Sequence, residues 1–366
     1  MGRVRLTGRL VGDFSYATTG SARGRVLSAR GLSAVRHESG VLAELDLDDV
    51  PPPPLRPSIV PATISAYGRR LWVADHELPQ VVRLDDNGGL TEFVLPGRIY
   101  PDPSGHPWRV HADAEGCWVA GWDGVYRCAD SGNVRRLGDR SVGISTTLDR
   151  MLLTCTGGKD RTLLGLWHPD GSHTDIDAPA GQVMAVTNRP GGFWVLVRRW
   201  TGLPRTGFVV AVDLDGALTI GPEIEDLDND VVFTADPPQL FDLRGIIRAL
   251  RPDLTVGEPV PGPLSGFRGG TADGWVWIMH HDRERALFDN RRYWHLTLVD
   301  PSTQDILTRV EVHTPDPDVT VDAEGTVWVT DAALAPAYSP SGTLPPPLHV
   351  ADLLDNARTQ RQTRQG

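Results

Sequence analysis

Short apolar segments centred on tryptophan recur along the chain, and polar or glycine-containing segments separate them. The most complete copy reads GRRLWVADHELPQVVRLDDNGGLTEFVLP from Gly68. Four others follow it: AEGCWVAGWDGVYRCADSGNVRRL from Ala114, GGFWVLVRRW from Gly191, ADGWVWIMHH from Ala272 and AEGTVWVTD from Ala323. Short runs of β-branched, aromatic and apolar residues bounded by Gly, Asp or Asn are typical of β-strands and tight turns. The pattern predicts a repeating series of β-hairpins.

The tryptophans give the period of this repeat. Their positions are Trp72, Trp118, Trp194, Trp277 and Trp328, at intervals of 46, 76, 83 and 51 residues. The two long intervals are about twice the period, so each predicts a further copy that lacks the tryptophan. One candidate copy lies near Ser145 (ISTTLDRMLLTCTGG), another near Asp230 (VVFTADPPQLFDLRGIIRAL), and an early one begins at Gly24. Because the five tryptophans share one phase, we expect them to pack in the core between repeats.

Eight segments of about 43 residues each have room for four short antiparallel strands. Four-stranded sheets stacked around a channel bury both of their faces, so the sequence predicts an all-β fold, a single β-propeller of four-stranded antiparallel blades. Eight blades are favoured, and seven are the alternative. The propeller is expected over residues 1–349 and a polar tail over 350–366. The blades are expected near 13–50, 58–97, 105–140, 142–179, 181–225, 229–262, 265–313 and 317–349. The N-terminal segment RVRLTGRLV is a candidate closing strand for the last blade.

Composition narrows the classes of function. A net charge of -11 argues against a general nucleic-acid or anionic-membrane surface. The three cysteines, Cys117, Cys128 and Cys155, form neither a disulfide framework nor a CxxC metal motif, so we expect reduced thiols in the core. The sequence contains no apolar run of signal-peptide or membrane-helix length, which favours a cytoplasmic monomer. No phosphate-binding glycine loop follows a strand, so no nucleotide or redox cofactor is expected.

Two segments resemble a known family. LWVADHELPQVVRLDDNGGLTEFVLP is similar to the repeat of streptogramin B lyase-like propellers, and DAEGTVWVTD at Asp322–Asp331 is similar to both that repeat and NHL-type repeats. The resemblance implies the propeller fold. It also implies a lyase that opens a cyclic depsipeptide lactone by elimination, with a histidine base and a magnesium ion near one end of the channel. By residue type, though not by motif position, His280, His281 and Glu284 match the catalytic His and Glu of that family.

The repeat phase itself predicts where a site would lie. The residues three and four positions after each tryptophan should end the second strand, and equivalent positions should share one mouth of the channel. From this we expect His280 and His281 to be catalytic, and Asp75, His76 and Asp331 to bind a divalent metal, Mg²⁺ or Ca²⁺. The family resemblance implies that Glu284 is catalytic as well. Substrate contacts are expected from Arg198, Trp122, His106 and Arg268. The alternative is that these are solvated strand ends, with Asp331 only capping a turn.

Two functions remain open from the sequence. The first is a small-molecule- or peptide-processing enzyme of the lyase or hydrolase type at the channel mouth, assisted by a divalent metal. The second is a non-catalytic interaction propeller that binds a protein, peptide or glycan on the face of the two long loops, RRWTGLPRTG and HHDRERALFDNRRYWH. Insertions in repeat proteins cluster on the binding face, although a tolerated hairpin extension explains them equally well. Neither function calls for a nucleic acid or a membrane.

Overall fold

The chain folds into short β-strands joined by turns. A computed structural model describes residues 9–11, 14–19, 24–29, 61–75, 79–85, 90–96, 108–200, 205–227, 231–281, 294–312, 317–331 and 348–349. All the regular elements among them are strands. The chain divides into two compact units. Unit 1 contains Met1–Val119, Tyr126–Arg136 and Val312–Asp355, and unit 2 contains Ala120–Val125, Leu137–Glu311 and Asn356–Gly366.

Unit 1 contains one regular four-stranded sheet, most of a second, a hairpin and a sheet that joins N-terminal and C-terminal strands. Residues 120–125 and 137–138 of the second regular sheet belong to unit 2. The hairpin and the chain-end sheet use β1 (Arg9–Val11), β2 (Phe14–Thr19), β3 (Gly24–Ala29), β29 (Val319–Val321), β30 (Thr326–Asp331) and β31 (Leu348–His349). The first regular sheet contains β4 (Pro61–Tyr67), β5 (Arg70–Asp75), β6 (Gln80–Leu84) and β7 (Leu90–Val94). The second contains β8 (Arg109–Asp113), β9 (Gly116–Gly121), β10 (Gly124–Ala129) and β11 (Val134–Gly138).

Unit 2 contains four sheets in chain order, each with its strands paired in sequence. They begin with β12 (Ile144–Leu148), β13 (Met151–Thr156), β14 (Thr162–Trp167) and β15 (His173–Ala178). Next come β16 (Gln182–Arg189), β17 (Gly192–Arg198), β18 (Thr206–Asp213), β19 (Leu218–Ile220) and β20 (Ile224–Glu225). The third has β21 (Val231–Ala235), β22 (Pro238–Asp242), β23 (Ile246–Ala249) and β24 (Val260–Pro261). The fourth has β25 (Arg268–Ala272), β26 (Trp275–His281), β27 (Trp294–Val299) and β28 (Ile306–Val312).

The blade type predicted from the sequence is confirmed, and the structure describes fewer regular blades than the eight that the sequence favoured. Within the described residues the chain forms six regular antiparallel blades of the propeller type, not eight. The copies that lack tryptophan, near Ser145 and Asp230, are two of these six. The predicted first blade is described only as the hairpin of β2 and β3. The rest of that segment, and the C-terminal tail from residue 350, lie outside the described residues.

The two ends of the chain meet on one strand. β1 pairs in parallel with the second half of β30, with Arg9 opposite Val329 and Val11 opposite Asp331. β31 pairs antiparallel with the first half, with Leu348 opposite Val327. The N-terminal segment therefore joins the last sheet, as proposed for the candidate closing strand.

The tryptophans lie in one structural phase. Each of the five is the third residue of the second strand of its sheet, and Trp72, Trp118, Trp277 and Trp328 are between 0 and 5% exposed. Trp194 on β17 stacks on Phe233 of the next blade, with ring centroids 5.6 Å apart and an angle of 10° between the planes. Packing between blades is therefore confirmed for Trp194.

In unit 1, polar side chains join the innermost strands. Asp318 Oδ2 accepts from the Ile64 backbone N–H at 2.9 Å, and Thr320 Oγ1 accepts from the Ala66 N–H at 3.1 Å. On the other side of β4, Ser65 Oγ accepts from the Ala112 N–H at 2.9 Å. An inner strand has a free backbone edge, and unpaired buried amides cost free energy, so these side chains complete the hydrogen bonding of that edge.

In unit 2, apolar clusters fill the spaces between successive blades. Phe193, Val195 and Val197 of β17 pack with Leu164 and Leu166 of β14. Leu196 and Val209 pack with Val231, Phe233 and Leu240 of the following blade. The alternation along β17 sends odd and even residues to opposite neighbours, because successive side chains of a strand point to opposite faces. The strand is therefore apolar throughout, which is typical of a blade covered on both faces.

Candidate functional site

The predicted site positions lie at the ends of second strands. The strands that carry the five tryptophans end at Asp75, Gly121, Arg198, His281 and Asp331. Equivalent strand ends in successive blades carry chemically different residues, so a site at these ends would be built from non-identical groups. In unit 1 these strand ends are Asp75 and Asp331, and in unit 2 they are Gly121, Arg198 and His281.

Several predicted site residues cannot be given a side-chain environment. His76, His106 and Glu284 lie outside the described residues. Asp75, His281 and Asp331 end their strands within the described backbone, but their side chains are outside it. The metal set proposed from the sequence, Asp75, His76 and Asp331, therefore stays a prediction.

Three of the predicted substrate-binding residues have defined positions in unit 2. Arg198 ends β17 and donates to the Gln182 side-chain oxygen on the neighbouring strand, and at 3.4 Å to the Leu227 carbonyl. These hydrogen bonds join the end of β17 to neighbouring parts of the same blade. Trp122 is half-buried in the tight turn between β9 and β10, and Arg268 begins β25 opposite Met279.

The described site residue with the clearest chemical partner is His280. It lies one residue before the end of β26, directly opposite His295 on β27. Their ring centroids are 5.7 Å apart, with 31° between the ring planes. Both side chains are half-buried, and the ring nitrogens His280 Nδ1, His280 Nε2 and His295 Nδ1 are shielded from solvent. We call these two residues the histidine pair.

Sequence reasoning missed His295. It is the second residue of β27, which begins at Trp294. The signal that could have found His295 was the register: if His281 pairs with Trp294, His280 must pair with His295, because antiparallel partners move in opposite directions. The intervening loop gave no turn motif from which that register could be counted.

The histidine pair shares one face of its blade with Ile278 and Thr297. Ile278 lies opposite Thr297, and residues two apart on a strand point to the same face. Ile278 packs with Val232 and Leu243 of the preceding blade, so this face is covered near its centre. Thr297 is 0% exposed, and its hydroxyl has no hydrogen-bond partner within the described part of the chain.

A glycine brings the innermost strand close to this hairpin. Gly270 on β25 pairs with Trp277, and a Cβ atom added there would lie 2.7 Å from Cζ2 of the indole. That is shorter than a carbon–carbon contact allows. The glycine therefore lets β25 lie against the Trp277 ring and hold β26 in place.

The described residues contain no group of three or more His, Cys, Asp or Glu side chains that could hold a metal ion. The magnesium ion implied by the family resemblance prefers oxygen ligands in an octahedral arrangement. The histidine pair offers two imidazole nitrogens and no carboxylate, so it does not fit that ion. No reaction step through magnesium follows from the described residues.

The cysteines are not candidates for nucleophilic chemistry. Cys117, Cys128 and Cys155 are free and buried, as the sequence predicted. Burial raises the pKa of Cys128 to about 12 and also raises the pKa of Cys117 and Cys155. Since the thiolate is the reactive species, these thiols are inert at neutral pH.

The described chain also contains no helix of the length and hydropathy needed to cross a membrane.

Comparisons with known proteins give a fold rather than a family. No family model matches the chain, and no curated protein matches it. Among solved structures it is similar to virginiamycin B lyase from Staphylococcus aureus, at 12% identity and a TM-score of 0.51, over 75% of this chain and 92% of that one. It is also similar to a chain of the mitotic checkpoint complex, at 10% identity and a TM-score of 0.50, over 73% and 85%. Likeness at this identity establishes the propeller fold, which hosts many unrelated functions.

Proposed function

We propose that the chain is a small-molecule- or peptide-processing enzyme of the lyase or hydrolase type, with its reaction centre at the end of β26 and β27. The observation that carries the proposal is the histidine pair, His280 opposite His295 with ring centroids 5.7 Å apart. Two imidazoles share one face of the blade, next to the loop that separates the two strands. Fold similarity to a lyase is consistent with this proposal but does not carry it.

The chemistry follows from what the two reaction types share. An elimination removes a proton from carbon and expels a leaving group, whereas a hydrolysis removes a proton from water as it attacks a carbonyl. Both need a basic group that is active near neutral pH, and imidazole is the side chain whose ordinary pKa lies there. We assign the basic group to the histidine pair. His281 and Glu284 keep their predicted catalytic roles as part of this proposal.

The test is a screen of cyclic depsipeptide lactones and simple esters, run with the unaltered chain and with His280→Ala. We expect turnover of at least one lactone or ester and a loss of at least about 100-fold in kcat for His280→Ala, the scale of a lost general base. His173→Ala is the matched control, because His173 is a half-exposed histidine on an outer strand of the same unit, stacked on Trp167. The control should keep full activity.

Product analysis in H₂¹⁸O separates the two reaction types. Hydrolysis places one ¹⁸O atom in the new acid, whereas elimination leaves a carbon–carbon double bond and no solvent oxygen. Full activity in His280→Ala would refute the assignment of the centre, and no turnover of any lactone or ester would refute the proposed reaction class.

A second function, a non-catalytic interaction propeller, is supported by one observation. Trp200 is 50% exposed, and its indole N–H donates to the Gly158 carbonyl at 2.9 Å, which fixes the ring. Fixed exposed aromatic rings are common anchors for peptides and sugars. A peptide and glycan array with Trp200→Ala tests it: specific binding that Trp200→Ala abolishes and His280→Ala retains supports this function, and the reverse result removes it.

A further inference from the structure

We propose that His280 and His295 chelate a divalent transition-metal ion, with Thr297 as a hydrogen-bond partner of a water on that ion. For its place in a reaction this inference rests on the proposed function. The binding itself is measured without turnover.

The geometry of the pair suits a two-histidine chelate. The two residues are directly opposite on neighbouring antiparallel strands, so their Cβ atoms are held about 5 Å apart by the sheet itself. With metal–nitrogen bonds of about 2.1 Å and a tetrahedral angle, two imidazoles have ring centroids roughly 5 Å apart. The observed separation is 5.7 Å. A small rotation about the side-chain torsions therefore brings both rings onto one ion, with no change in the backbone.

The ligand type selects the ion. Imidazole nitrogen is a borderline ligand that suits Zn²⁺, Ni²⁺ and Cu²⁺, whereas Mg²⁺ and Ca²⁺ are held by oxygen atoms. The pair should therefore bind Zn²⁺ or Ni²⁺ well and Mg²⁺ or Ca²⁺ poorly. This differs from the ions that the sequence suggested for Asp75, His76 and Asp331.

Thr297 provides the independent second observation. It lies two residues after His295 on β27, so its side chain points to the same face as the pair. The residue is 0% exposed, and its hydroxyl lacks a hydrogen-bond partner within the described residues. A buried hydroxyl without a partner is destabilising, so such groups generally mark a place for water or a ligand. A water bound to an ion at the pair would satisfy it.

An ion at this place would give the proposed enzyme its basic group. A metal ion lowers the pKa of its bound water towards neutrality, and it also polarises a carbonyl oxygen. In this arrangement the two imidazoles would act as ligands. The bound water would lose a proton to solvent, and the hydroxide so formed would take the substrate proton in an elimination or attack the carbonyl in a hydrolysis.

The experiment uses untagged full-length chain, because a polyhistidine tag binds the same ions. The protein is stripped with a chelator and titrated calorimetrically with Zn²⁺ and Ni²⁺, and separately with Mg²⁺ and Ca²⁺. We expect one equivalent of Zn²⁺ or Ni²⁺ and at least 10-fold weaker binding of Mg²⁺ and Ca²⁺. One equivalent of Mg²⁺ or Ca²⁺ bound as tightly as Zn²⁺ would overturn the proposal.

The variants locate the ion. His280→Ala and His295→Ala should each weaken Zn²⁺ binding at least 10-fold, and His173→Ala should leave it unchanged. Thr297→Val keeps the volume and removes the hydroxyl, and affinity should fall by about 10-fold, as when other groups that hydrogen-bond to metal ligands are removed. Unchanged affinity in either histidine variant overturns the chelate, and unchanged affinity in Thr297→Val overturns the role of the hydroxyl. Thermal unfolding of each metal-free variant checks that it is folded.

A Co²⁺ titration gives a readout that folding alone does not change. Imidazole-bound Co²⁺ has visible d–d absorption that reports its coordination, and the bands should disappear in the double variant His280→Ala, His295→Ala. The failure modes are separable. Metal binding without turnover keeps the site and refutes the enzyme, whereas turnover that is unaffected by chelator, without metal binding, refutes the site and keeps the enzyme.

Discussion

Unit 1 contains the tetrapeptide Asp-Ala-Glu-Gly twice, at 113–116 and at 322–325, and the two copies use their aspartates differently. Both join the first strand of a sheet to the strand that carries the tryptophan. In both, the aspartate Oδ1 accepts from the glutamate backbone N–H two residues later, at 2.9 Å. This shared bond is an Asx turn, a local preference of aspartate at such positions. The other hydrogen bonds of the two aspartate carboxylates differ.

In the second copy the carboxylate is fully used by its own hairpin. Asp322 Oδ1 also accepts from the Thr326 N–H, and Oδ2 accepts from the Trp328 indole N–H, both at 2.9 Å. In the first copy Asp113 Oδ1 instead accepts from Arg127 Nη2 at 2.6 Å, and Oδ2 is buried with no hydrogen-bond partner among the residues that the structure describes. Arg127 also lies over the Trp118 ring, 5.1 Å from its centroid.

Spacing accounts for the difference. Trp328 is the sixth residue after Asp322, whereas Trp118 is the fifth after Asp113. The extra residue lengthens the turn and lets the indole reach back to the carboxylate. One sequence motif thus produces a self-contained turn in one place and a buried ion pair in the other, so the two copies should respond differently to mutation.

The largest difference is expected for Asp113→Ala. Removing the carboxylate leaves the Arg127 guanidinium, whose side chain is 8% exposed, buried without its counter-ion. Breaking one partner of a buried pair costs about 3–5 kcal/mol. Urea unfolding followed by tryptophan fluorescence measures this loss. The double variant Asp113→Ala, Arg127→Met should recover most of it, and a single-variant loss below about 1 kcal/mol would show that the pair is not buried in solution.

The next effect concerns pH and involves only the first copy. Burial, followed by the nearby Arg109 charge, lowers the pKa of His111 from 6.5 to about 3. The folded chain therefore resists protonation that the unfolded chain accepts, so stability is lost as the pH falls from 6.5 towards 3, by up to about 1.4 kcal/mol per pH unit. The position equivalent to His111 in the second copy is Thr320, which does not titrate.

Replacing His111 with Gln should reduce the loss of stability as the pH falls from 6.5 towards 3. Unfolding is measured by denaturant titration at several pH values between 3 and 7.5, and the difference between His111→Gln and the unaltered chain isolates the histidine from the carboxylates. Parallel pH profiles for the two proteins would contradict the prediction.

The smallest of the three effects is expected for Asp322→Ala. It removes two bonds to exposed or half-buried turn amides and one to the Trp328 indole, without stranding a charge. Loss of such a cap costs about 1–2 kcal/mol. Asp322→Asn keeps an acceptor oxygen, so its loss of unfolding free energy should be about half that of Asp322→Ala. A loss equal to that of Asp113→Ala would remove the distinction between the copies.

The sequence predicted the blades well where local chemistry repeats. Each phased tryptophan lies at the third position of a second strand, and the tryptophan-free copies place Leu153 and Leu240 at that position. Alternation and turn residues act within a few residues, so they can be counted from the chain. These local signals do not determine the number of blades, because the first and last strands pair over more than 300 residues, as Arg9 does with Val329.

The candidate site was predicted less well than the fold. His280 was found because it follows Trp277 in phase, but its partner His295 was missed because the long loop hides the register. Arg198 was expected to bind substrate, yet its guanidinium contacts Gln182 and Leu227, because a long side chain at a strand end reaches the neighbouring strand first. Side-chain partners across strands are set by register and packing, which residue type alone does not determine.

The meeting of both chain ends on β30 has a consequence for synthesis on the ribosome. β1 is synthesised more than 300 residues before its partner residues Val329–Asp331. Unit 2 is built almost entirely from the continuous stretch Leu137–Glu311, so it can fold while the chain is still being translated. Unit 1 must wait for the C-terminal strands, and until then β1 is an unpaired edge. A pause or truncation that comes before β30 should therefore leave unit 2 folded and β1 exposed.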